Sequence, residues 1–200
     1  MASQMLKGTQ SLSPADRQLF NLFGLGKSVQ QPYECIHHAF EHHARTNPYN
    51  IAVEDVGGKK IAYAELDRQA NCLARHLREK GVTPGSRVCL LVERSIWMVV
   101  GIIGILKAGG AYVPLDGNVV SDKTLEYALK DSGSSLAVVQ SMFKHRIGNN
   151  LAALTLEDTI CDSPYSTHCV KPEDLTTRNN SAYIIYTSGM CWIPFGSLLY

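Results

Sequence analysis

The chain has 200 residues, of which 45% are hydrophobic and 18% charged, and its formal net charge at pH 7 is +1. A chain of this length can bury roughly 70% of its unfolded surface, so it forms one domain or part of a larger one. The balanced charge argues against a nucleic-acid-binding protein, which usually has a basic face, and against a disordered chain, which usually has a high net charge.

No segment is predicted to span a membrane or to direct secretion. The longest apolar stretch covers 96–106 and ends at Lys107, whereas a spanning helix needs about 20 residues. The N-terminus lacks the apolar core of a signal peptide. We therefore expect a cytoplasmic protein with free cysteine thiols, because its cysteines show no CxxC spacing and the cytosol is reducing.

Residues 1–33 are predicted to lead into the domain and to contain one short helix. Ser13 and Asp16 have the spacing of a capping box, and Pro14 occupies the first helical position. The helix should therefore begin at Pro14 and end near Phe23.

From residue 34 onward, strand and helix patterns alternate. In chain order the hydrophobic periodicity predicts a helix over 35–46, a hairpin with strands at 51–53 and 60–63, a helix over 64–80, a strand over 87–92, a helix over 95–107, a strand over 111–114, a helix over 122–131, a strand over 135–140 and a strand over 182–186. Residues 141–180 are more polar and less periodic. The alternation predicts an α/β fold with a mainly parallel sheet and flanking helices.

Thr187, Ser188 and Gly189, directly after the last predicted strand, are the candidate phosphate-binding residues. Small residues let the backbone approach an anion, and hydroxyl and amide groups donate to phosphate oxygens. Ligands of open α/β sheets bind beyond the carboxyl ends of strands. The alternative is an ordinary turn, since these residue types are common in turns.

Two other stretches have the pattern of structural joints. In LKAGGAYVPLD (106–116), Lys107 lies near the negative end of a helix, and two glycines make the turn into a strand. In IAYAELDRQAN (61–71), Glu65 lies near the positive end of the next helix. Neither stretch places a nucleophile or a base.

In this order, the three stretches resemble core motifs of the adenylation domains of nonribosomal peptide synthetases, within the adenylate-forming superfamily. The first motif is similar to 61–66, the second is matched without a gap by 106–116, and the third begins at 182–189. The resemblance implies the N-terminal part of the adenylate-forming enzyme fold, with a partial AMP-binding (adenylation) domain over 34–189. The AYVPLD sequence disfavours acyl-CoA ligases, which share that fold.

The resemblance also implies an activity. In the family, an amino or aryl acid carboxylate attacks the α-phosphorus of ATP, an acyl-adenylate forms and pyrophosphate leaves, with Mg²⁺ shielding the phosphates. The acyl group then passes to the thiol of a carrier domain, in nonribosomal peptide or related secondary-metabolite biosynthesis. ATP and Mg²⁺ are the implied cofactors, and an amino acid and a carrier domain are the implied partners.

After Gly189 the sequence departs from the family motif, which continues with hydroxyl residues, a glycine and later a lysine. Residues 190–196 are MCWIPFG, so Trp192 replaces the glycine and Phe195 the cation. A Trp side chain blocks the close backbone approach that a phosphate loop needs. We therefore expect 190–200 to be a divergent tail, the chain alone to be inactive, and no catalytic residue to lie within it.

The codons at the departure point suggest its origin. Encoded as GGT-ATG-TGY, Gly189, Met190 and Cys191 would contain GTATGT, a common fungal intron start. The hypothesis is that 190–200 are intron read-through, and a cDNA that retains their coding sequence would contradict it.

Two alternative functions and one alternative site stay open. The chain could be a non-catalytic fragment or a small α/β interaction protein that binds a synthetase, or an acyl-CoA ligase-like fragment. His37, His38, His42 and His43 cluster on one predicted helix, and the i, i+4 spacing of His38 and His42 can hold a metal. No HExxH motif accompanies them, so a polar helix face is the favoured interpretation and no metal ligand is assigned.

Overall fold

The computed structural model describes residues 12–24, 26, 30–149, 151–160, 170–187 and 195–199, with backbone alone for 187 and 195–199. The chain divides into two compact units, Met1–Pro32 and Tyr33–Tyr200. The first unit contains helix α1 (Pro14–Phe23). Its start confirms the predicted capping box, because the Ser13 hydroxyl accepts from the Asp16 amide at 3.2 Å and donates to the Asp16 carboxylate at 2.7 Å.

The second unit is a layered α/β structure. Its helices are α2 (Ile36–Thr46), α3 (Tyr63–Glu79), α4 (Ile96–Ala108), α5 (Asp122–Ser132) and the short α6 (Leu156–Thr159), with a 3₁₀ helix at Ser141–Arg146. Its strands are β1 (Ile51–Glu54), β2 (Lys60–Ala62), β3 (Arg87–Val92), β4 (Ala111–Asp116), β5 (Leu136–Val139), β6 (Ala153–Thr155), β7 (Tyr183–Thr187) and β8 (Phe195–Leu199).

Six of the strands form one sheet, in the order β6-β5-β3-β4-β7-β8. All its neighbours are parallel except β7 and β8, which are antiparallel. Strands β1 and β2 form a separate antiparallel hairpin. The mainly parallel sheet with flanking helices confirms the predicted fold class.

Helix α4 is apolar all round because it lies within the core. Val100 and Ile105 are fully buried, and the backbone at Gly104 passes close to Leu73 of α3. A Cβ at position 104 would lie 2.7 Å from the Leu73 side chain, so glycine is what permits this close approach of the two helices. The helix ends at Gly109, whose φ of 92° requires glycine.

Lys107, which the sequence placed at the end of α4, is the centre of a buried ionic network. Its side chain is 1% exposed, and its ammonium donates to Asp67 Oδ1 and Asn71 Oδ1, each at 2.7 Å. Glu41 of α2 lies 3.0 Å from the same ammonium. The side chain of Lys107 therefore joins α2, α3 and α4, which confirms that the motif around it is structural.

Glu41 also accepts a hydrogen bond from Lys171, at 2.6 Å. Burial alone would raise the pKa of Glu41, but the hydrogen bonds and charges of Lys171 and Lys107 outweigh it and hold that pKa below its ordinary value. Glu41 therefore stays ionised at neutral pH, which the buried ammonium requires.

Four elements were not predicted. They are the 3₁₀ helix, β6 and α6, all within 141–160, and the strand β8. The first three are short, so hydrophobic periodicity has too few residues to register, and β6 is an edge strand fixed by its pairing with β5. None of the described helices is long and apolar enough to cross a membrane. Cys35 and Cys89 are free thiols.

The Lys107 network gives a test of the fold. Lys107→Met should destabilise the chain by about 3 kcal/mol, because the substitution leaves the Asp67 and Glu41 carboxylates without their buried cation. Lys171→Met is the matched control: Lys171 pairs with the same Glu41 but its side chain is 44% exposed, so the loss should stay within about 1 kcal/mol. Urea unfolding of both variants measures the difference, and equal losses would contradict the central role of Lys107.

Candidate functional site

The carboxyl ends of the parallel strands meet at one edge of the main sheet. Val92, at the end of β3, is in register with Asp116, at the end of β4, and β7 runs parallel to β4 and ends at Thr187. Ligands of open α/β sheets bind at such an edge. We refer to this region, with the residues that directly follow β3, β4 and β5, as the carboxyl edge.

Polar side chains organise the carboxyl edge. The Glu93 amide donates to Gln140 Oε1 at 2.7 Å, and the Gln140 amide group donates back to the Glu93 carboxylate at 3.3 Å. Arg94 pairs with Asp116 at 3.3 Å while its side chain remains 84% exposed. The carboxyl edge therefore presents an exposed cation that an anionic ligand can reach.

The strand that leads to the predicted phosphate-binding residues is anchored by two tyrosines. Tyr186 donates its hydroxyl hydrogen to Asp131 Oδ2 at 2.8 Å, and its ring meets Tyr127 of α5 edge to face. Tyr183 stacks on Tyr112 of β4 with ring centroids 5.5 Å apart. Burial and the neighbouring Asp131 carboxylate raise the pKa of Tyr186, so its hydroxyl remains a donor across the physiological range.

The predicted phosphate-binding residues are only partly within the described chain. Thr187 was predicted to follow the last strand directly, but it is the last residue of β7, at the carboxyl edge, and its backbone pairs with Phe195 of β8. Ser188 and Gly189 lie outside the described residues, as do Cys191 and Trp192.

The structure contradicts part of the favoured interpretation, in which the histidines of α2 form a polar helix face. A polar helix face is wrong for His37, whose side chain is 4% exposed. His38 does not pair with His42: its Nε2 lies 2.5 Å from Asp174 Oδ2, while His42 Nδ1 lies 3.4 Å from Arg45 Nη2. Sequence spacing could not show this arrangement, because Asp174 is 136 residues away from His38.

The anchoring of β7 can be tested with one hydroxyl group. Tyr186→Phe should cost about 1 kcal/mol of unfolding free energy, because Asp131 loses its donor while the ring stays in place. It should also speed hydrogen exchange of the β7 amides. Tyr49→Phe, on a side chain that is exposed, should change stability by less than about 0.5 kcal/mol. Unchanged exchange in β7 would mean that the Tyr186–Asp131 bond does not hold the strand.

Comparison with known proteins gives one family and several similar chains. The model of the AMP-binding enzyme family matches residues 40–190. Adenylate-forming reductase 03009 of Coprinopsis cinerea is 53% identical over 186 residues, which cover 92% of this chain and 18% of that protein. Tyrocidine synthase 3 of Brevibacillus parabrevis is 37% identical over 192 residues, which cover 94% of this chain and 3% of that protein.

A solved structure is similar over nearly the whole chain. The nonribosomal peptide synthetase FmoA3, as the S1046A variant in its AMPPNP-bound form, superposes with a TM-score of 0.78 and 26% sequence identity. The match covers 94% of this chain and 19% of that structure. The chain thus spans less than a fifth of the length of the relatives and of the structure that it matches.

Proposed function

The chain belongs to the AMP-binding enzyme family, and from this membership we propose that it is the N-terminal part of a domain that activates a carboxylic acid as its adenylate. The predicted resemblance to adenylation domains of nonribosomal peptide synthetases is confirmed by these relatives. The match of the family model to residues 40–190 carries the proposal, and the position of Thr187 at the end of β7 supports it. In this proposal the family-type domain covers 34–189, and 190–200 diverge from it.

ATP with Mg²⁺ is the proposed cofactor, and in this proposal its phosphates lie at the carboxyl edge. Thr187, Ser188 and Gly189 would supply hydroxyl and amide donors, and Arg94 stands exposed at the same edge as a cation for the phosphates. The bound Mg²⁺ would neutralise charge on the phosphates while a carboxylate attacks the α-phosphorus. The family match ends at residue 190, next to the point where the motif departs. We infer that the chain with 190–196 as given does not bind ATP productively.

The fate of the activated acid is a separate proposal. Identity to the adenylate-forming reductase is 53%, against 37% to the peptide synthetase, although both matches cover more than nine-tenths of this chain. We infer that the activated acid is the substrate of a reduction, the reaction that the name of this relative gives for that protein. Incorporation of an amino acid into a peptide is the second candidate, supported by the likeness to the FmoA3 structure.

Because the matched relatives are much longer, the test uses a chimera. Residues 33–189 would replace the corresponding segment of adenylate-forming reductase 03009 of Coprinopsis cinerea, followed by that protein's own continuation. We expect the chimera to catalyse acid-dependent ATP–pyrophosphate exchange at a rate within about tenfold of that of the unmodified reductase. A tenfold lower rate corresponds to a loss of about 1.4 kcal/mol in transition-state stabilisation. A folded chimera without exchange would contradict the proposal.

Two variants of the chimera test the phosphate-binding residues. Thr187→Val combined with Ser188→Ala should lower the exchange rate by about a hundredfold, because both hydroxyl donors to phosphate are lost. Ser181→Ala removes a hydroxyl from the segment before β7 and should leave the rate unchanged. If the two variants behave alike, Thr187 and Ser188 belong to an ordinary turn.

A further inference from the structure

Three metal-ligating side chains converge between α2 and the segment that precedes β7. His37 and His38 are neighbours in the first turn of α2, and Asp174 comes from a segment 136 residues later. One ligand atom from each lies within 4.8 Å of the other two. His38 Nε2 is 2.5 Å and His37 Nε2 is 3.9 Å from the Asp174 carboxylate.

Thr176 holds the carboxylate and one histidine in place. Asp174 Oδ1 accepts hydrogen bonds from the Thr176 amide at 2.9 Å and from the Thr176 hydroxyl at 2.6 Å. These bonds fix the carboxylate and leave Oδ2 directed at His38. The same hydroxyl oxygen lies 3.2 Å from His37 Nε2, so Thr176 links His37 to Asp174 in the absence of an ion.

The three side chains are of the types that bind transition metals. His37 and His38 supply imidazole nitrogens, and Asp174 supplies a carboxylate oxygen. The cluster thus offers two nitrogen ligands and one oxygen ligand.

We propose that His37, His38 and Asp174 bind a divalent transition-metal ion, with Zn²⁺ as the ion that best suits two imidazoles and one carboxylate. Tetrahedral bonds of about 2.0 to 2.2 Å place ligand atoms roughly 3.3 to 3.6 Å apart. The His38–Asp174 separation is shorter than that value and the His37–Asp174 separation is longer, so the side chains must rotate when the ion binds. Water would occupy the fourth position. The ion would displace the proton between His38 and Asp174 and replace the Thr176 hydroxyl as the partner of His37 Nε2.

The site is structural in character and separate from the proposed activation of an acid. It joins α2 to the segment that enters β7, and the same segment also reaches α2 through the Lys171–Glu41 ion pair. The bound ion would therefore fix the approach to the strand that carries Thr187. The proposed metal site is separate from the proposed phosphate-binding residues, because Asp174 lies before the start of β7 and Thr187 lies at its carboxyl end.

Titration of the full 200-residue chain with Zn²⁺, by calorimetry or against a chromophoric chelator, tests the site. We expect one equivalent to bind and the melting temperature to rise with Zn²⁺ concentration. His38→Ala and Asp174→Asn should each weaken binding by about tenfold or more. His42→Ala is the matched control, because it removes a histidine from the same helix outside the cluster and should leave the affinity unchanged.

Co²⁺ supplies a readout that does not depend on any variant. Co²⁺ bound to the unmodified chain should give the intense visible absorption of a tetrahedral site, and Zn²⁺ should remove it. The proposal is overturned by three results: no Zn²⁺ binding, binding that survives both His38→Ala and Asp174→Asn, or an equal loss in His42→Ala. Circular dichroism of each variant shows whether a variant that no longer binds Zn²⁺ is still folded. If a variant is unfolded, the Co²⁺ spectrum of the unmodified chain decides whether the site exists.

Discussion

The buried ammonium of Lys107 is the interaction on which the helical layer depends. A cation with 1% side-chain exposure is stable only where anionic and polar partners surround it, and here Glu41, Asp67 and Asn71 do so from two other helices. The position of α4 is therefore fixed relative to α2 and α3. Because α4 connects β3 to β4, the same network fixes the two strands whose ends form the centre of the carboxyl edge.

Long periodic elements could be predicted from the sequence, and short ones could not. The helix α3 and the strand β3 were predicted within a residue or two, because many buried positions repeat along each of them. Strands β6 and β8 owe their conformation to pairing with β5 and β7, which is tertiary information. Likewise, the partners of Lys107 lie far from it in the chain, so the sequence indicated a structural residue but not its network.

Only the part of the candidate site that lies at the end of β7 could be predicted from the sequence. The position of Thr187 at the end of β7 follows from the pattern of the last predicted strand, and the rule for α/β sheets then places it at the carboxyl edge. Arg94 escaped notice because an arginine after a buried strand has no distinctive spacing. The cluster of His37, His38 and Asp174 was hidden because only the fold brings its two halves together. Its separation from the carboxyl edge leaves the two proposals independent.

The central claim is that this chain carries an adenylate-forming segment whose competence depends on the residues after Gly189. The most direct measurement is ATP–pyrophosphate exchange in a reductase chimera that carries residues 33–196, before and after Met190→Ser, Cys191→Thr, Trp192→Gly and Phe195→Lys are introduced together. We predict no exchange before the four substitutions and recovery after them, because a glycine and a cation return to the phosphate loop. Full activity without the substitutions, or none with them, would contradict the claim.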